Sequence, residues 1–79
     1  MDDLIELKLK VLLARIMKVD VATITANSSS ETIVTWDSLN HMKLVLALEE
    51  EFQLVFDEIQ IENMTTFAKV VELIGHLKT

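Results

Sequence analysis

Asp37-Ser38-Leu39-Asn40-His41-Met42-Lys43-Leu44-Val45-Leu46-Ala47-Leu48-Glu49-Glu50-Glu51-Phe52 is the stretch on which the fold turns. Its apolar residues recur at helical spacing, not in alternation, and Asp37 stands where an N-cap belongs, which predicts a helix from about Ser38 to Phe52. At about 100° per residue, Leu44, Val45, Leu48 and Phe52 share one side. Leu39, Met42 and Leu46 fall on another, and Lys43, Ala47 and Glu50 lie beyond them. A helix in a two-layer bundle needs one apolar face, and this one has two. Either it is central and buried on both sides, or Leu39, Met42 and Leu46 form an exposed recognition stripe. Methionine is common on surfaces that repack against several partners.

On the N-terminal side, Asp3 and Glu6 have capping-box spacing. Ile5, Leu9, Leu12, Leu13 and Ile16 then continue at helical spacing, with Lys8, Lys10, Arg15 and Lys18 on much of the other face. This predicts a first helix ending near Met17 or Lys18, with cations in its last turn. From Val19 to Asp37 the periodicity breaks. Val21-Ala22-Thr23-Ile24-Thr25 has strand composition but no second strand to pair with, and Asn27-Ser28-Ser29-Ser30 is loop chemistry. Long irregular connections in compact domains are uncommon and often functional. Ile24, Ile33 and Val34 are expected to pin this one to the bundle.

On the C-terminal side, Asp57 and Gln60 repeat the capping-box spacing and predict a short helix over 57–62. Thr65 or Thr66 would cap a last helix whose stripe is Phe67, Val70, Val71, Ile74 and Leu77. The expected fold is all-α: a small four-helix bundle, three main helices plus a short third, with a long loop between helices one and two.

Composition narrows the function. The 79 residues include no cysteine, no proline and one glycine, Gly75. That leaves no disulfide, thiolate metal site or thiol nucleophile, and no glycine-rich phosphate loop. Half the residues are apolar, too many for a disordered chain. The net charge of −6 opposes binding to nucleic acid or anionic membranes. Leu44 to Leu48, the longest apolar run, is far too short to span a bilayer. Met1 runs straight into Asp2 and Asp3, the wrong charge for a secretory leader, so a soluble cytoplasmic protein is expected. A bundle this small is also expected to be marginally stable and mobile.

The charge is unevenly placed. Residues 1–18 and residues 69–79 are each slightly basic, whereas 19–68 carry nine acids against Lys43 alone. This acidic middle is either a solvated face or a docking surface for basic partners.

Ser38 lies where the long loop meets the central helix. A phosphate ester there would face unpaired backbone N–H groups and the positive end of the helix dipole. The plainer reading is that Asp37 and Ser38 are ordinary capping residues. A serine nucleophile would need a base and an orienting group. His41 is on the same face but has no evident orienting acid, and is read as a partly buried or surface histidine. His76 suits the end of the last helix. Glu49, Glu50 and Glu51 point in three directions, so no metal site and no catalytic residue are expected.

Asp37-Ser38-Leu39, the apolar positions at Met42 and Leu44 to Leu46, and the ending Ala47-Leu48-Glu49-Glu50-Glu51-Phe52 together resemble the phosphopantetheine attachment region of acyl carrier proteins. Length, acidity, the long loop, the short third helix and Thr65-Thr66 agree with that resemblance along nearly the whole chain. It implies a single acyl-carrier-like domain over 1–79, non-catalytic, with 4′-phosphopantetheine from coenzyme A attached to Ser38. It implies that Asp37 assists the modification, near the transferase's magnesium. Leu39, Met42, Leu46, Glu49 and Glu50 would meet partner enzymes or border the acyl chain. The implied partners are a phosphopantetheinyl transferase, an acyl-loading ligase or transferase, and synthase or acyltransferase enzymes, met by a monomer. The resemblance leaves two settings open: fatty acid synthesis, or a specialised lipid or secondary-metabolite pathway.

The chain departs from the family pattern at three positions. Thr35 stands where glycine is frequent, and Trp36 follows it. Asn40 and Lys43 stand where acids are common. The basic patches of fatty acid synthesis enzymes would meet less negative charge there, which points to a specialised carrier. An aminoacyl or peptidyl carrier remains an alternative, although the Gly-Gly usual before its serine is missing. An unmodified acidic interaction module is another.

Overall fold

A computed structural model describes the chain from residue 3 to residue 78. Four helices form in the expected order: α1 (Asp3–Met17), α2 (Ser38–Phe52), α3 (Glu58–Asn63) and α4 (Phe67–Lys78). The Asp3 side chain, and with it the expected capping box to Glu6, lies outside the described residues. α1 packs against both α2 and α4. One core joins Leu9, Leu13 and Met17 of α1, Leu44, Val45, Leu48 and Phe52 of α2, and Phe67, Val70, Val71 and Ile74 of α4. α3 contributes less: Ile61 packs against the core from outside, and Phe56 and Met64 beside the helix are buried. Leu77, Ile5, Leu12 and Ile16 are partly buried at the edges.

Helix ends follow local chemistry. Asp57 Oδ1 accepts from Gln60 N at 2.7 Å and Gln60 Oε1 from Asp57 N at 3.0 Å, a complete capping box. It starts α3 at Glu58, so the expected 57–62 helix sits one residue later. Thr66, of the two candidates, caps α4: its Oγ1 accepts from Lys69 N at 3.2 Å. α1 and α2 end without glycine, through Lys18 and Gln53 in the left-handed region at φ 57° and 54°. Beyond them Val19 N donates to Ala14 O and Leu54 N to Glu49 O, satisfying last-turn carbonyls.

The long loop has local order. Val21–Thr23 form a 3-10 turn, capped by Asp20, where strand composition had no partner strand. Ser28 is buried, and its Oγ accepts from Thr25 N at 2.8 Å. The Ser28 and Ala26 carbonyls accept the N–H groups of Phe67 and Ala68 at 2.9 and 3.0 Å, so the loop completes the N-terminal cap of α4. Ile24 and Ile33 are buried as expected, but Val34 is not: it is 93% exposed. The bond from Trp36 N to Ile33 O closes a turn with Val34 and Thr35 at its corner. The chain therefore buries Trp36 in place of Val34.

α1 also departs from a simple amphipathic helix. Leu4, Leu7 and Val11 are exposed beside Lys8, Arg15 and Lys18. No helix among the described residues is long and apolar enough to cross a membrane.

Candidate functional site

The two stripes of α2 separate cleanly. Leu44, Val45, Leu48 and Phe52 are buried, whereas Leu39, Met42 and Leu46 are 66%, 43% and 61% exposed. The helix is not buried on both sides. Its second stripe lies open and begins next to Ser38.

Asp37 is the N-cap: its Oδ1 accepts from Asn40 N at 2.8 Å. Ser38 is therefore the first helical residue, exposed and not needed for capping. The plainer reading of the Asp-Ser pair holds for the aspartate and leaves the serine without a local structural task. Its backbone belongs to the first turn of a helix, where N–H groups lack intrahelical acceptors.

Ser38 borders an open groove of about 420 Å³. Trp36, His41, Met42, Ile61 and Met64 line it, with Glu62 and Thr65 as polar neighbours. The groove runs from the start of α2 to the end of α3. Of the exposed stripe, Met42 is the residue that lines this groove.

The segment leading into Ser38 is held from several directions. Thr35 Oγ1 donates to Met17 O at 2.6 Å, tying the loop to the end of α1. Asn40 Nδ2 donates to Thr35 O at 2.7 Å, tying the same residue to the first turn of α2. Trp36 Nε1–H donates to His41 Nδ1 at 3.0 Å. An indole N–H is a donor only, so His41 Nδ1 is the acceptor and the proton sits on Nε2. That Nε2–H donates to Ile61 O at 2.9 Å. The rings of Trp36 and His41 lie nearly parallel, 22° apart in plane and 6.2 Å between centroids. Thr35 and Asn40, two of the three departures from the family pattern, are thus bonded to each other beside Ser38. Lys43, the third, is exposed.

This arrangement bears on catalysis. Both ring nitrogens of His41 are occupied by structural bonds, so the one nearby histidine is not a base held ready for Ser38. Among the described residues, no group of three His, Cys, Asp or Glu side chains converges as a metal site would.

The acidic residues differ among themselves. Glu49 is half-buried, and its Oε2 accepts from Phe56 N at 2.9 Å, so it stitches α2 to the segment before α3. Glu50 is exposed. Glu51 pairs with Lys8 at 3.9 Å on the α1 side.

Sequence reading missed the Trp36–His41–Ile61 chain of bonds. The available signal was a tryptophan and a histidine five residues apart across a helix start, which places them near each other but does not reveal the third partner.

No family model matches the chain. It is 29% identical over 72 residues to an acyl carrier protein of Buchnera aphidicola subsp. Schizaphis graminum, a match covering 91% of each chain. It is 30% identical over 64 residues to an acyl carrier protein of Onion yellows phytoplasma, covering 81% of this chain and 84% of the relative. With four helices around one core and an exposed serine at the head of α2, this chain belongs to the acyl carrier protein family.

Proposed function

We propose that this protein carries acyl intermediates on a 4′-phosphopantetheine arm attached to Ser38, and that it performs no chemistry of its own. The observation that carries the reading is the division of labour at the head of α2. Asp37 does the capping, which leaves the Ser38 hydroxyl exposed at a helix N-terminus suited to a phosphodiester.

The residues present fit that group. The first turn of α2 offers backbone N–H groups and a positive dipole end to one phosphate charge. The neighbouring groove has an apolar floor and open sides. Modification joins Ser38 Oγ to the phosphorus nearest the pantetheine and breaks the pyrophosphate link of coenzyme A. It releases adenosine 3′,5′-bisphosphate, and the hydroxyl proton passes to a base on the transferase. When attached, the arm supplies a terminal thiol that holds the acyl group as a thioester. The chain itself holds the attachment point still and presents Leu39, Met42 and Leu46, with Glu50 exposed one turn beyond Leu46. Tethering then raises the effective concentration of the substrate at each partner's active site.

The partners in this reading are a phosphopantetheinyl transferase, a loading ligase or transferase, and synthases or acyltransferases, met in the cytoplasm by a monomer. Basic patches on those enzymes would be steered to residues 37–62. Glu50 is the acid best placed for that role, and Glu49 contributes charge from a side chain fixed to the loop. A specialised pathway is favoured over ordinary fatty acid synthesis because the first turns of α2 present Lys43 and an internally bonded Asn40.

Intact mass after incubation with coenzyme A, magnesium and a broad-specificity transferase tests the proposal. Wild type gains one phosphopantetheine, and Ser38→Ala gains none while keeping its helical circular dichroism. An unmodified wild type that is folded, and not already carrying the arm, would favour the acidic interaction module instead.

A further inference from the structure

The groove beside Ser38 stops at a side-chain tie. His41, on the first turn of α2, bonds the carbonyl of Ile61 near the end of α3, and Trp36 bonds His41 from the loop. The two bonds support each other. The indole N–H fixes which histidine nitrogen carries the proton, and only that arrangement lets Nε2–H reach Ile61 O. Trp36 is 4% exposed, so losing the His41 acceptor would leave a donor on a buried residue to find another partner. Leu44, Leu48 and Val70 belong to the core and are fully buried, and Met64 is buried where the groove meets that core. A chain entering from Ser38 would have to part α2 from α3 and break the bond to Ile61.

We propose that Trp36 and His41 determine cargo length, by tying α2 to α3 so that the acyl group stays in the open groove at Ser38. The cargo class this selects is a short acyl chain. A long one gains nothing from its distal methylenes, because the helices do not open to bury them. The inference rests on the carrier reading of Ser38 and adds to it the limit on what is carried. The polar rim of Glu62 and Thr65 agrees with a cargo that stays near water.

The test loads the protein from butanoyl- and dodecanoyl-coenzyme A with the transferase, and intact mass records loading first. Two readouts follow: cleavage of the thioester by hydroxylamine, and backbone amide shifts by NMR. In wild type both thioesters cleave at the same rate, and shift changes stay at Trp36, His41, Met42 and Ile61. In His41→Ala the dodecanoyl thioester is slowed about five- to tenfold, the worth of the one hydrogen bond to Ile61 that opening no longer breaks. Its shift changes spread to Leu44, Leu48 and Val70. His41→Gln, which keeps one acceptor and one donor, restores chain-length independence. Trp36→Phe, lacking only the indole N–H and the fused ring, reports the same opening if His41→Ala does not fold. Protection of dodecanoyl in wild type overturns the proposal, as does a pair of folded variants that behave like wild type in both readouts. Failure of Ser38 to accept either arm overturns the carrier reading itself, and shows at the mass stage before any rate is measured.

Discussion

On the inward side of α2, Leu44, Val45, Leu48 and Phe52 are buried against α1 and α4; on the outward side, Leu39, Met42 and Leu46 lie open beside Ser38. The two stripes are similar in residue type and share one helix. What separates them is what faces them. The inward stripe meets leucines and valines of other helices. The outward stripe meets solvent, an exposed serine and a groove. Exposure alone does not mark a site, however. α1 also exposes Leu4, Leu7 and Val11, but among cations and away from any serine at a helix start. The α2 stripe is singled out by its position next to Ser38 and by the groove that Met42 lines.

Truncating each stripe in turn should break the similarity. Leu48→Ala removes a fully buried side chain and should cost about 2–5 kcal/mol. A domain of this size holds roughly 4–12 kcal/mol in total, so the variant should melt far below wild type or fail to fold. Leu46→Ala should shift stability by less than about 0.5 kcal/mol, because the side chain already faces water. Its effect should fall on partners: a KM raised about tenfold for an acyl-transferring enzyme, equivalent to one interface contact. Thermal melts and partner kinetics on the same two samples decide it. Equal melting losses for both variants would remove the distinction between the stripes.

The inward stripe was legible in the sequence because helical period and burial are the same fact seen twice. The α2 cap and the α3 capping box were legible for a similar reason, since each is closed within four residues. Val34 was misplaced because apolar character does not say which corner of a turn a residue takes. The loop's cap on α4 and the His41–Ile61 bond join residues tens of positions apart, and no local pattern encodes such pairings. At the site, spacing alone left the second stripe either buried or exposed, and Ser38 stood out only through the resemblance to a known family. The groove and its tie could not be read at all, since both need the position of α3.

Asp37 sharpens the comparison at the point where structure and site meet. Asp37→Ala removes the cap and should cost about 0.5–2 kcal/mol. Asp37→Ser keeps a capping oxygen and should stay within a few tenths of wild type. If Asp37 also assists the transferase through its charge, both variants take up phosphopantetheine slowly although only one is destabilised. A capped, stable Asp37→Ser that is modified at the wild-type rate would confine Asp37 to structure.

Lys43 carries the smallest effect and the finest distinction, the one between pathways. It is the only cation between residues 19 and 68, and it is exposed one residue from Met42 on the outward stripe. Lys43→Glu should leave the fold unchanged, since no core contact is touched. It makes the outward face more acidic, so a fatty acid synthase enzyme with a basic docking patch should bind it better. An exposed charge pair contributes about 0.2–1 kcal/mol, so KM should fall by at most about fivefold. The gain should fade as salt shortens the range of the interaction to about 10 Å at 0.1 M and less above. The protein's own loading enzyme should show the opposite, a loss, if Lys43 meets an acid on it. Improvement with one class of enzyme and loss with the other would place the specialisation at this single charge. No change with either would set Lys43 aside as a determinant of partner choice.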